Sequence, residues 1–295
     1  MVALRKKVIK GQTYYYLEHS YRKGKKVLKK ELYLGNKIPK NIENIKRQLI
    51  DDIYKEKWYS DLDIIKKNYN KEHKSLPKSV KEKKLQIFVT EFTYDTQKIE
   101  GSTLTRRETA ELLERGITPA GKPIRDVKEA EAHRDLFYRI LKSKKDLTLQ
   151  TILDWHWDLF SQTKADIAGK IRKYQVEIGA SKFLPPSPVE VFPMLTEFFQ
   201  WYNKNKNRIH PIELAALTHL KFVTIHPFGD GNGRISRLIM NFVLNKKGYP
   251  MLNIKYDGRT GYYNALERSQ IKNEERIFLQ WFLKKYINEY HRYLR

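Results

Sequence analysis

Two apolar runs of helical spacing, joined by a loop with three glycines and one proline, constrain this chain more than any other stretch. From about Ile212 to Ile225, the residues Leu214, Ala215, Leu217, Leu220, Phe222 and Val223 recur at the period of a helix. A second run extends from Ile235 to about Leu244. Together they predict a pair of core helices. The loop between them reads His226-Pro-Phe-Gly-Asp-Gly-Asn-Gly-Arg-Ile-Ser-Arg237.

The residue types in this loop point to phosphate chemistry. Gly229, Gly231 and Gly233 permit positive φ and let a ligand approach the backbone N–H groups. The loop opens onto a helix N-terminus, where unpaired N–H groups and the helix dipole favour an anion. Arg234 and Arg237 lie three apart, share one face of the first turns, and suit a polyphosphate. Asp230 is a hard oxygen ligand of the kind that Mg²⁺ accepts beside phosphates. His226 is the one loop residue that exchanges a proton near neutral pH. Singly, a histidine at a helix end, a glycine cluster or an arginine pair is commonplace. The set puts a base, a metal ligand, an anion cradle and two cations within a dozen residues.

This stretch resembles the signature of the Fic family, His-Pro-Phe-x-(Asp/Glu)-Gly-Asn-Gly-Arg-x-x-Arg, at every fixed position. The family consists mostly of protein adenylyltransferases, which move AMP from ATP onto a Ser, Thr or Tyr hydroxyl. The resemblance implies that His226 deprotonates the target hydroxyl and that Asp230 holds Mg²⁺. It implies that Asn232, Gly233 and Arg234 hold the α- and β-phosphates, with Gly231 beside them, and that Arg237 holds the γ-phosphate.

A second motif lies upstream. An apolar stripe through Leu85, Phe88, Val89, Phe92 and Ile99 marks a helix over about 84–100, ending at Gly101. Glu100 then falls at a helix C-terminus, where a negative charge is unfavourable without a nearby cation. Thr96-x-x-x-Glu100-Gly101 resembles the Fic inhibitory motif, (Ser/Thr)-x-x-x-Glu-(Gly/Asn). That resemblance implies that Glu100 pairs with Arg237 and blocks the γ-phosphate site. Thr105 and Glu108 form a capping-box pattern that starts the next helix.

The chain has 295 residues, no cysteine and a formal charge of +24. The first figure allows a core with an appendage. The absence of cysteine excludes disulfides and thiolate metal sites. No signal peptide or membrane-spanning apolar run is apparent, so a cytoplasmic protein is expected. The charge has two readings, contact with nucleic acid or another polyanion, and the lysine-rich usage of a thermophile.

Residues 1–40 read as a basic, β-rich extension with 12 Lys/Arg against 2 acidic residues. Thr13–Tyr21 and Val27–Leu34 are strand-like, joined by a glycine-centred turn over Arg22–Lys26, and Leu4–Ile9 is a further strand candidate turned at Lys10-Gly11. Interleaved tyrosines fit a nucleic-acid or protein docking module, or a solvated hairpin. Residues 41–80 read as a helical linker, with one or two helices over 42–70 and a polar loop from Asn70 to Lys84 holding Pro77. Residues 81–290 form the Fic-like part, mostly α. Within it His133 reads as a surface residue, and His156 between Trp155 and Trp157 as core packing.

The segment from Ala168 to Pro186 shows strand alternation at Gln175–Gly179. By the resemblance it is a short β-hairpin flap that aligns the target, with Gly179, Ala180 and Ser181 bordering the nucleotide. Tyr262 and Tyr263 match the family's tyrosine pair of the adenine pocket, whereas Gln270 departs from an Asn that touches the base in some relatives. The expectation is an adenylyltransferase using ATP and Mg²⁺ on a target protein, with a homodimer as a plausible assembly. Two alternatives stand beside it: removal of AMP by the same site, and a nucleic-acid-binding regulator that acts through residues 1–36.

Overall fold

The computed structural model describes residues 2–23, 26–179 and 181–295. The expected turn at Gly24-Lys25 and the flap residue Ala180 lie outside them. The chain divides into two units, residues 1–65 with Leu294 and residues 66–293 with Arg295.

In the first unit, alternating apolar and basic residues make an antiparallel sheet in the order β1-β2-β3, formed by Ala3–Ile9, Gln12–Lys23 and Lys26–Gly35. The β1–β2 turn uses Lys10 at φ 50° and Gly11 at φ 76°, between the paired residues Ile9 and Gln12. Two positive φ values in a two-residue loop match the right-handed strand twist. Leu17 of β2 is fully buried with Leu49 and Ile53, which lie one turn apart on helix α1 (Ile42–Ser75). Truncating Leu17 to Ala removes the centre of this small cluster, at a cost of roughly 2–5 kcal/mol.

Helix α1 is one element, and the expected polar loop over Asn70–Lys84 is not present. The helix runs to Ser75, and α2 (Lys78–Ile99) starts at once. Lysine and glutamate are good helix formers on an exposed face, so polarity there does not signal a loop. Only Leu76-Pro77 interrupts, because Pro77 sits at the N-cap of α2, with φ −56° and ψ 153°.

The second unit is helical. After α2 come α3 (Arg106–Arg115), α4 (Ile124–Lys142), α5 (Leu149–Phe160), α6 (Pro188–Asn205), α7 (Pro211–Ile225), α8 (Asn232–Lys246), α9 (Arg259–Lys272) and α10 (Glu275–Glu289). The capping box of Thr105 and Glu108 is formed. Helices α7 and α8 are the pair foreseen around the glycine loop. Each buries 12 of its 15 residues, so neither keeps a solvent face and both lie at the centre of the unit. Helices α2, α4 and α5 pack on α8, and α6 and α10 pack on α7.

Two expectations are corrected here. His133 is fully buried in α4, among Phe92 and Phe137, with Nδ1 2.9 Å from the Thr93 hydroxyl. The hydrogen bond to another helix lets the ring enter the core. The flap contains no strand among the described residues of 171–186. Side chains tie it down instead of a ladder, as described below.

Candidate active site

Hydrogen bonds from side chains shape the loop between α7 and α8. His226 caps α7 in the left-handed region, at φ 52°, and its N–H donates to Phe222 O. The Asn232 side chain closes the loop upon itself. Its Oδ1 accepts from Phe228 N–H and its Nδ2 donates to Phe228 O, both at 2.9 Å. His156 clamps the middle. Its Nδ1 accepts from Gly169 N–H at 2.9 Å, which leaves Nε2–H to donate to Asp230 O at 3.0 Å. Burial pushes this imidazole down to about 4, so the ring is neutral and holds that tautomer. Gly231 (φ 82°) has no room for a side chain, since a methyl group there would strike Phe160.

Helix α8 begins where the loop ends. Its first intrahelical bond runs from Ile235 N–H to Gly231 O at 2.9 Å. The N–H groups of Asn232, Gly233 and Arg234 therefore face out of the helix end. The Glu100 carboxylate lies against this end. A methyl group on Gly233 would collide with Glu100 Oε1, and the same oxygen accepts from Arg237 Nη2 at 2.6 Å.

Arg237 is buried and held along its length by α2. Nε donates to the Thr96 hydroxyl and Nη2 to Thr96 O, both at 3.3 Å. Both fixed ends of the upstream motif thus meet one guanidinium. Beneath it, Tyr262 is buried, with its hydroxyl 3.5 Å from Arg237 Nη1 and 3.0 Å from His219 Nε2. Burial opposes the charge on Arg237, but Glu100 and the Tyr262 oxygen outweigh it and raise its pKa.

His226 Nδ1 lies 3.1 Å from Val223 O, so that nitrogen carries the proton and Nε2 is left as the basic atom. Burial lowers the pKa of this ring, against the pull of the Val223 carbonyl, so it is neutral at pH 7. Asp230 is half-buried. Its Oδ2 accepts from Lys164 at 2.6 Å and its Oδ1 from Arg234 at 3.1 Å. Burial opposes its ionisation, but Arg234 and Lys164 prevail and hold its pKa at about 2.

The two signature arginines are treated differently. The Arg234 guanidinium turns inward, to Glu129, to Gln97 Oε1 at 3.2 Å and to Asp230, with its face 4.4 Å from the centre of the Phe160 ring. Only its backbone N–H points at the helix end. Tyr263 is half-exposed and donates from its hydroxyl to Ile99 O at 3.1 Å. The flap is fixed at both ends. Arg172 donates to His226 O at 2.8 Å, Pro186 O at 2.6 Å and Tyr174 O at 3.0 Å. Ser181 Oγ and Lys182 N–H donate to Glu267 of α9, and Gly179 faces open space.

Arg172, Glu129, Lys164 and the clamp role of His156 were not evident from the sequence. Each has a partner in the signature loop or α8 that lies 54 to 105 residues away, beyond any local period. No local signal marked Arg172, which stands among Lys164, Asp166, Lys170 and Lys173 on the approach to the flap.

A buried helical hairpin is thus joined by a loop that presents a histidine, outward helix N–H groups and a shielded arginine. Residues 146–244 match the Fic/DOC family. The chain is 34% identical over 199 residues to protein adenylyltransferase fic-1 of Caenorhabditis elegans, covering 65% of this chain and 39% of that protein. With protein adenylyltransferase Fic of Drosophila melanogaster it shares 35% identity over 179 residues, 59% of this chain and 36% of the other. The chain thus spans well under half the length of these curated relatives. The fold matches a Fic domain containing signaling protein from Bacteroides thetaiotaomicron at a TM-score of 0.70 and 29% identity, over 77% of this chain and 94% of that one. It also matches a fragment of Fic-1 from C. elegans at 0.70 and 28% identity, over 87% and 77%. Among the described residues no helix is long and apolar enough to cross a membrane.

Proposed function

We propose that this chain is a protein adenylyltransferase, which transfers AMP from ATP to a Ser, Thr or Tyr hydroxyl of a target protein and is held at rest by Glu100. One observation supports the reading: the helix end of α8 at Gly233 and the Arg237 guanidinium meet at a place filled by one carboxylate, with His226 at the start of the same loop. The adenylyltransferase names of the relatives support it. The catalytic unit is residues 81–290.

An ATP phosphate displaces Glu100 from Gly233 and Arg237, exchanging one anion for another. The remaining phosphates lie on the N–H groups of Asn232, Gly233 and Arg234, beside Gly231. The target hydroxyl yields its proton to His226 Nε2 as its oxygen bonds to the α-phosphorus. The bond from that phosphorus to the bridging oxygen of pyrophosphate breaks. Asp230 suits Mg²⁺ as a single, permanently ionised carboxylate beside phosphates. Bound there, Mg²⁺ would neutralise phosphate charge. Among the described residues no cluster of three or more acids or imidazoles offers an all-protein cage. Gly179 and Ser181 border the nucleotide, the exposed ring of Tyr263 lines the adenine site, and Tyr262 supports Arg237 from below.

The test is transfer of label from ATP labelled at the α-phosphate, to the chain itself and to proteins of a lysate. Glu100→Gly should label more than the unaltered chain, and Glu100→Gly/His226→Ala should lose roughly 10²–10⁴-fold of that rate. Undiminished labelling without His226 removes it from the chemistry. If no variant transfers label but Glu100-containing chain releases AMP from a pre-modified protein, the site runs in the opposite direction.

A further inference from the structure

Side chains alternate across β2, and only one of its faces carries the buried cluster. Leu17 meets Leu49 and Ile53 on the helix side. Its neighbours Tyr16 and Glu18 point the other way, as does Tyr14. The register sets Arg5 opposite Tyr16 and Lys7 opposite Tyr14 on β1, and Tyr33 opposite Tyr16 and Glu31 opposite Glu18 on β3. All of these residues lie within 1–65.

On this face the three tyrosines form one group. The Tyr33 ring centre lies 6.1 Å from that of Tyr14 and 5.2 Å from that of Tyr16. Tyr33 is 55% exposed, so one of its ring faces is open to stacking. Lys7 Nζ stands 4.5 Å from the Tyr16 centre. Glu18 accepts from Lys29 at 2.7 Å, with Arg5 at 3.6 Å, and Glu31 meets Lys7 at 2.9 Å and Lys29 at 3.0 Å. These two glutamates are the only acids among residues 1–40. Both stand here, yet three cations surround them. The pairs set Lys7 beside the Tyr16 ring and leave this group of side chains one positive charge in excess.

We propose that this face binds single-stranded nucleic acid, with bases stacked on Tyr33 and its neighbours and phosphates on Arg5, Lys7 and Lys29. Aromatic rings set in a basic surface serve unpaired bases, since every base has a π-face and each stacked base adds to affinity. A duplex hides those faces, and its major groove admits a helix or a two-stranded ribbon, narrower than this three-stranded face. An acidic peptide would use the cations and leave the rings idle. The inference does not depend on the transferase reading, because it uses none of that site's residues.

Fluorescence anisotropy of a labelled single strand of about 20 nucleotides, titrated with the full chain at several salt concentrations, tests it. Binding should weaken with salt at a log–log slope of about −2, roughly 0.7 for each of three phosphate contacts. Tyr33→Val keeps a strand-forming residue and removes the ring, and should weaken binding about tenfold. Lys29→Thr should cut the slope by about 0.7. Tyr16→Ala is a poorer probe, since that ring is packed between Lys7 and Tyr33. The proposal is overturned by absence of binding at low salt, by unchanged affinity in Tyr33→Val, by a duplex that binds as tightly as the single strand, or by polyglutamate that competes as well as the oligonucleotide.

Discussion

The two flanks of the first turns of α8 hold an arginine each, three residues apart, and treat it in opposite ways. On one flank Arg234 meets Glu129, Gln97 and Asp230, and the side chains of both Arg234 and Glu129 are under 10% exposed. On the other, Arg237 is equally buried, but its carboxylate partner Glu100 is 26% exposed and comes from the last residue capping α2. The first pair is closed inside the fold. The second has one member that water can reach. Two residues of the same type in one motif thus differ: Arg234 locks the loop, and Arg237 is the one whose partner the proposed function exchanges for a phosphate.

The largest test of this contrast is stability. Arg234→Met takes from the buried Glu129 its most buried partner and leaves it to Lys164 at 3.1 Å, and should cost roughly 3 kcal/mol in urea denaturation, because a buried carboxylate is then only partly compensated. Arg237→Met leaves Glu100 free to turn to solvent, and should cost about 1–2 kcal/mol. Equal losses would break the comparison. Next is affinity. Glu100→Gly should tighten binding of a non-hydrolysable ATP analogue by roughly 5–150-fold in calorimetry, the range of an ordinary coupling free energy. An unchanged constant would mean that the carboxylate does not compete with phosphate.

The smallest test reads the buried imidazoles as reporters. Burial holds His133 and His219 at about 3 and His156 at about 4; both arginines add to the effect at His133, and Arg237 alone does so at His219. Their folded pKa values lie below the unfolded value of about 6.5. The unfolded chain therefore binds more protons as pH falls below that value, and stability drops with acid between about pH 6.5 and 4. His133→Leu should remove about a third of the slope these three contribute in denaturation curves at pH 6.5 and 5. An unaltered slope would show that the ring is protonated in the folded chain.

The α7–α8 pair and the loop between them were legible because helical period, glycines and charge coincide within a short stretch. Thr96 and Glu100 were legible as a spaced pattern, and the ion pair to Arg237 follows it. Helix α1 was misread past Asn70 because exposed helices and loops share a polar composition. The flap was read as a hairpin from the alternation at Gln175–Gly179, yet its backbone is held by the Arg172 guanidinium and by Glu267, which no local pattern discloses. His133 was misjudged, and the clamp role of the buried His156 was missed, for a related reason. A polar side chain belongs in the core only if a distant residue satisfies it, and that residue is visible only in three dimensions.

The tether on Glu100 has a consequence of its own. Because α2 and α8 belong to the same chain, the carboxylate meets Arg237 at an effective concentration set by the fold. Diluting the protein leaves that concentration untouched, and no free carboxylate in solution matches it. A ligand that takes the place of Glu100 must therefore bring several contacts at once, as a triphosphate does, and any event that lifts the last turn of α2 acts as strongly as raising the ligand.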